Sequence, residues 1–155
     1  MITIIHILDV IKLPAAKAGN YTYIGRANSV HQLPRSPLYN PYSVKQYGRE
    51  GCIQKYRDEK LAPAMRRLKG QLYEAVERVA IAEALGEEVR LACWCMSEEC
   101  PEKRPWQQCH GLSIRTAAMD LLVGRSLEDR IEQIKARELP GLDHERVDGV
   151  WRKAG

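Results

Sequence analysis

The chain opens on a nearly unbroken apolar run, Ile2, Ile4, Ile5, Ile7 and Leu8, which predicts a strand over Thr3 to Val10 buried on both faces. His6 sits in its middle, where a histidine is more often a hydrogen-bonded core residue than a catalyst. Gly19-Asn20 supplies a turn, and Tyr21 to Arg26, YTYIGR, reads as a second strand ending on a glycine and a cation. From Ala27 to Tyr47 the pattern has no sustained period and is punctuated by Pro34, Pro37 and Pro41. Loops that long inside compact domains are usually functional or carry short structure of their own. Two of these prolines stiffen Ser36-Pro37-Leu38-Tyr39-Asn40-Pro41-Tyr42, because each pushes its preceding residue out of the helical region.

Helical spacing returns at Gly48-Arg49-Glu50-Gly51, which opens a helix with Cys52, Ile53, Tyr56 and Leu61 as its apolar stripe. Met65, Leu68, Leu72, Val76 and Val79 predict a second helix over Pro63 to Leu85, stopped by Gly86. Alternation resumes at Val89 to Cys95, a third strand with Val89, Leu91, Cys93 and Cys95 on one face and Arg90, Ala92 and Trp94 on the other. Met96 to Gln108 is irregular. A helix over Leu112 to Val123 follows, ended by Gly124, and Ser126-Leu127-Glu128-Asp129 starts a last helix reaching Leu139. From Pro140 onward the chain is polar with little period.

Strands alternating with helices imply a layered α/β domain with a central, at least partly parallel sheet flanked by helices. Residues 1–139 form one such domain and 140–155 a C-terminal tail. In parallel sheets ligands gather beyond the carboxyl ends of the strands. Gly25-Arg26 and the segment from Cys93 to His110 would both fall on that edge.

Length and composition are those of one globular domain: 155 residues, 45% hydrophobic and 28% charged. No segment approaches the roughly eighteen apolar residues of a membrane span, and MITIIHILDV lacks the basic start and cleavage site of a secretory signal. No membrane partner is expected, and a cytoplasmic location is. The net charge of +4 is uneven. Residues 1–70 carry twelve Lys and Arg against four Asp and Glu, and the rest twelve against sixteen. The basic part favours phosphates as partners, although solvated surface charge is the bland reading of any single cation.

The chemistry concentrates in Leu91 to Gly111, LACWCMSEECPEKRPWQQCHG, with the spacing Cys93-x-Cys95-x4-Cys100-x8-Cys109-His110. In a reducing compartment such a cluster reads as thiols or metal ligands rather than disulfides; outside one, a Cys93 to Cys109 disulfide is an option. Cys93, Cys95, Cys100 and Cys109 could supply zinc with its preferred sulfur shell, although the spacing is not that of paired C-x2-C sites. Cys109 at a helix start could instead be a nucleophilic thiol. Cys109 to Thr116 also fits the C-x5-R-[ST] arrangement of phosphate-attacking cysteines, a short pattern that arises easily by chance. Cys52 and Cys93 also read as buried small hydrophobes.

Taken in order, Tyr23-Ile24-Gly25-Arg26, Ser36-Pro37-Leu38-Tyr39-Asn40-Pro41-Tyr42, Gly48-Arg49-Glu50-Gly51-Cys52-Ile53 with Tyr56, Leu91-Ala92-Cys93-Trp94-Cys95 and Cys109-His110-Gly111 resemble the domain-of-unknown-function family 4326. The resemblance spans residues 2 to 123. Tyr39 stands where that family usually has glycine, and Met96 to Gln108 is longer than its usual link. The resemblance implies a single Rossmann-like α/β domain found in bacterial and phage-associated proteins, and brings no established reaction. Together with the charge asymmetry and the loop placement, it suggests a pocket for a nucleotide or other phosphate-bearing ligand. Arg26 and Arg49 would hold phosphate, Ser36, Asn40 and Gly48 would line the pocket, and Cys109 with His110 would supply the reactive or ligating group. The competing expectation is a non-catalytic, zinc-stabilised module, with nucleic acid as a partner.

Overall fold

The structure, a computed structural model, describes residues 1–99, 109–124, 144–147 and 150–153. In chain order its elements are β1 (Ile2–His6), α1 (Ile7–Ile11), α2 (Ala15–Ala18), β2 (Thr22–Tyr23), α3 (Val44–Lys55), a π-helical segment (Tyr56–Leu61), α4 (Ala62–Arg67), α5 (Gln71–Ala84), β3 (Val89–Cys93), α6 (His110–Gly124), β4 (His144–Val147) and β5 (Val150–Lys153). The first three strands form a sheet of order β1-β3-β2 in which both pairings are parallel, with His6 opposite Cys93 and Tyr23 opposite Ala92. Gly25-Arg26 and the chain beyond Cys93 therefore leave the same edge, as expected.

Period-two alternation sorts the two faces of the sheet. Ile4, Leu91 and Cys93, with Ile24 just beyond β2, enter the larger core, which Val76, Val79 and Ala80 of α5 and Ile114 and Ala118 of α6 complete. Ile5 and Ala92 turn the other way, onto Ile7 and Val10 of α1, with Trp94 and Tyr23 packed at the margin. Ile4, Leu91 and Ile114 are fully buried, each contributing about 1.5–3 kcal/mol relative to exposure. Among the described residues no helix is long and apolar enough to cross a membrane.

The strands expected over Tyr21 to Arg26 and Val89 to Cys95 are shorter, Thr22–Tyr23 and Val89–Cys93, and the helix expected from Leu112 begins at His110; four further differences have an identifiable reason. The first strand stops at His6, because His6 Nδ1 accepts the Leu8 amide at 3.3 Å and caps α1. Ile7 and Val10 then bury as neighbours on a helix rather than as strand residues. The helix expected from Gly48 begins earlier, at Val44, where Ser43 caps it by accepting the Gln46 amide at 3.1 Å. Gly48, at φ 74°, is a break inside that helix. The helix expected over Pro63 to Leu85 is two helices, because Leu68 takes a left-handed φ of 55°. Pro63 offers no N–H to the preceding turn, and that turn is wound as the π-helical segment. In the stretch read as a polar tail, β4 and β5 pair antiparallel, with Val147 opposite Val150. The Asp148-Gly149 dipeptide between them in sequence is the hairpin signal that reading passed over. The helix expected over Ser126 to Leu139, and Cys100, lie outside the described residues.

A bracket at the edge of β1 fixes where the chain goes after β3. The Glu98 amide donates to Ile4 O at 2.8 Å, and its carboxylate accepts the Ile4 amide at 2.9 Å. Arg115 of α6 donates to the same carboxylate at 2.9 Å and to Ile2 O at 3.1 Å. The turn holding Cys95 and Met96 is thus tied to both β1 and α6.

Candidate metal centre

Three cysteines meet at the carboxyl edge of the sheet. Cys93 ends β3 facing the larger core, Cys95 follows on the same side, and Cys109 stands immediately before α6. Their sulfurs all lie within 4.8 Å of one another. Cys93 and Cys109 are buried and Cys95 is half-buried. The first turn of α6 reaches the sheet this closely because residue 111 is glycine. A Cβ there would sit 2.9 Å from Ile24 Cδ1 and 3.0 Å from Ile4 Cδ1, closer than carbon atoms pack.

Each sulfur accepts an N–H donor. The Cys95 amide donates to Cys93 Sγ at 3.4 Å, the Gly111 amide to Cys109 Sγ at 3.3 Å, and Arg49 Nη1 to Cys95 Sγ at 3.1 Å. Without metal the cluster is polarised. Thiol donation from Cys109 and Cys93, aided by the Arg49 guanidinium, holds Cys95 far below the ordinary thiol range. Cys109 is pushed well up by its bonds to Cys93 and Cys95 and by burial. For Cys93, hydrogen bonding with Cys109 lowers the pKa, but its bond to Cys95 and burial outweigh that and raise it to about 11. Cys95 is therefore the most acidic of the three thiols, between two that are held up.

His110 lies beside Cys109 but outside the group of three whose ligand atoms all lie within 4.8 Å of one another. Its Nε2 lies 2.8 Å from Ile24 O, and a carbonyl can only accept, so the proton resides on Nε2 and Nδ1 keeps its lone pair. Nδ1 is 3.9 Å from Cys109 Sγ; the adjacent residues do turn toward each other. Burial lowers the imidazole pKa, although the Ile24 carbonyl opposes this. The Tyr56 ring packs edge-on against His110 at 5.0 Å, and its hydroxyl donates to Leu38 O at 3.0 Å. Burial, then the neighbouring Cys109, raises the Tyr56 pKa.

The other candidate site residues divide. Arg49, expected to hold phosphate, reaches the cluster through Cys95. Arg26 is exposed just beyond β2, its Nε donating to Asn40 O at 3.1 Å. Asn40 bonds the backbone of two other residues: Nδ2 donates to Cys52 O at 3.1 Å, and Oδ1 accepts the Tyr42 amide at 3.0 Å. Ser36 is buried, its Oγ accepting the Leu38 amide at 3.0 Å, and it lines a cleft of about 280 Å³ with Arg35 and Lys60. Gly48 is exposed at the break in α3. Cys52 is a buried thiol donating to Arg49 O at 3.2 Å, beside the cluster rather than in it. Arg115, the arginine of the phosphate-attacking pattern, is committed to Glu98 and Ile2 O.

Sequence reading missed how two of the motifs interlock. Trp94 Nε1 donates to Tyr23 Oη at 2.8 Å, and Tyr23 Oη donates to Arg26 O at 2.6 Å. The Tyr23 ring folds over residue 25 so closely that a Cβ there would collide with it, which is why Gly25 follows Ile24. The Tyr of Y-I-G-R and the Trp of C-W-C are therefore one contact, and the parallel pairing of β2 with β3 is the signal that could have joined them.

No curated protein and no solved structure matches the chain. The family described as a domain of unknown function, DUF4326, matches residues 13–120, which hold all three clustered cysteines and His110. With more than two thirds of its length so matched, the chain belongs to the DUF4326 family.

Proposed function

We propose that Cys93, Cys95 and Cys109 bind a zinc ion, with His110 Nδ1 as the fourth ligand, and that the domain is a metal-stapled binding module. The observation that carries this reading is that all three clustered sulfurs accept N–H donors, a pattern that stabilises thiolates and that buried apolar thiols do not need. Tetrahedral zinc at about 2.3 Å from sulfur and about 2.0–2.1 Å from nitrogen separates its ligand atoms by roughly 3.6–3.8 Å. The sulfurs, all within 4.8 Å of one another, need at most a small contraction; His110 Nδ1, 3.9 Å from Cys109 Sγ but outside that group of three, has to swing further in to become the fourth ligand. Three thiolates and Zn²⁺ sum to a single negative charge, which Arg49 offsets. The His110 Nε2–H bond to Ile24 O is the outer support that orients a ligating imidazole.

A four-ligand shell is closed, so this metal would hold structure rather than activate water. It would join β3 to the start of α6 and, through Arg49, to α3. The edge so fixed carries Arg26, whose guanidinium is anchored on Asn40 O, in the half of the chain with the cationic excess. A phosphate-bearing ligand, a nucleotide or a nucleic acid strand, is the partner class that this charge favours. The metal reading is tested by elemental analysis of protein purified without chelator. One zinc per chain is expected, lost in Cys109→Ser; less than about a tenth of an equivalent in the unsubstituted protein would overturn it.

A further inference from the structure

A cavity of about 600 Å³ lies between α6 on one side and the π-helical segment with α4 on the other, within the 300–1,000 Å³ typical of small-molecule sites. Its walls are mainly apolar: Ile53, Leu61 and Met65 face Leu112, Ala117 and Leu121. The polar groups are unequally placed. Arg57, whose Nε also pairs with the exposed Asp58 at 3.2 Å, and Arg66 come from the wall formed by the π-helical segment and α4, whereas Asp120, the carboxylate lining the cavity, comes from α6 with Ser113 and Thr116. Arg57 and Leu61, both on the π-helical segment, line the cavity, and π-helical turns are frequent at functional sites. Cys109 also borders it.

We propose that this cavity binds an amphipathic anion, its apolar body between the leucines and its carboxylate or sulfonate on Arg57 and Arg66. Asp120 repels the charged end from the α6 wall and so sets one orientation. Cys109 is common to the cavity wall and the cluster, but the residues that select the ligand, Arg57, Arg66 and Asp120, lie outside the cluster.

The probes are the sulfonated dye 1-anilinonaphthalene-8-sulfonate, read by fluorescence on the full zinc-loaded chain, and decanoate as its competitor, with decanol as the uncharged control. Decanoate is expected to displace the dye at least about tenfold more effectively than decanol, since charge-assisted bonds to guanidinium are lost in the alcohol. Ala117→Phe fills the cavity and is expected to abolish decanoate binding at unchanged zinc content. Arg57 and Arg66 are exposed, so the double substitution Arg57→Ala, Arg66→Ala leaves folding intact and carries the test even where the filled variant fails to fold. It is expected to erase the preference for decanoate over decanol. Equal displacement by decanol and decanoate in the unsubstituted chain, or an undiminished preference in the double variant, overturns the proposal. So does a sedimentation-detected dimer that Ala117→Phe dissociates, which would give the cavity to a second copy of the chain.

Discussion

Two buried histidines stand at the carboxyl edge of one sheet and are used in opposite ways. His6, ending β1, spends both ring nitrogens on backbone: Nδ1 accepts the Leu8 amide and Nε2 lies 3.1 Å from Trp94 O. His110, opening α6, spends only Nε2 on a carbonyl and turns Nδ1 toward Cys109. The same residue type at similar burial is therefore a saturated helix cap in one place and a ring nitrogen turned toward Cys109 in the other. Burial and residue type do not separate them. The direction of the second nitrogen does, and it follows from what precedes each residue: a strand turning into a helix for His6, a cysteine for His110.

The largest effect that sharpens this contrast is Cys109→Ser. Because metal binding energy becomes folding energy, the variant is expected to lose its zinc and more than about 4 kcal/mol of stability in chemical denaturation. His110→Ala and His6→Ala should then part company. The first is expected to weaken zinc binding at least about a hundredfold, as judged by competition with a colorimetric chelator. The second should leave the zinc affinity in place and cost about 1–3 kcal/mol, because the Leu8 amide and the Trp94 carbonyl lose their partner. Equal zinc affinities in the two variants would erase the distinction. Arg49→Ala, removing the guanidinium from Cys95 Sγ, is expected to cost about 10–100-fold in zinc affinity.

The polarised cluster gives a pH dependence with a definite sign. Zinc requires three thiolates; Cys95 is the thiol held down in the cluster, whereas Cys93 and Cys109 are held up. Calorimetry in buffers of different ionisation heat should therefore count about two protons released per zinc, with affinity falling about a hundredfold for each pH unit downward. Release of three protons would mean that Cys95 is not held ionised. In the metal-free protein the depressed Cys95 contributes stability that is present above the unfolded thiol pKa and lost as pH falls through its folded value. The raised Cys93 and Cys109 contribute stability that is fully present below the unfolded pKa and lost as pH rises through their folded values. The smallest effect is that of Tyr56→Phe, which removes the bond to Leu38 O for about 1 kcal/mol and leaves the zinc content unchanged.

Much of this site was legible in the sequence where period alone decides orientation. Alternation along Val89 to Cys95 put both cysteines on one side, and the parallel edge placed Cys109-His110 beside them. Where an apolar run is continuous, as from Ile2 to Val10, strand and helix share a pattern, and only the His6 cap ends the strand. Arg49 was singled out as a cation for phosphate, yet its partner is a sulfur 46 residues away, a pairing that no local spacing announces. The bonds of Asn40 to Cys52 O and the Tyr42 amide, and of Ser36 to the Leu38 amide, were likewise not announced by the loop's composition. The break at Leu68 was hidden for a related reason: a leucine at helical spacing reads as buried stripe and gives no sign of a left-handed backbone.

The coordination of the metal is read most directly by X-ray absorption at the zinc edge on the purified chain. Three sulfurs at about 2.3 Å and one nitrogen at about 2.0–2.1 Å are predicted, the nitrogen being replaced by a non-imidazole ligand in His110→Ala and retained in His6→Ala. A shell of oxygens and nitrogens without sulfur, or a spectrum unchanged by His110→Ala, would contradict it.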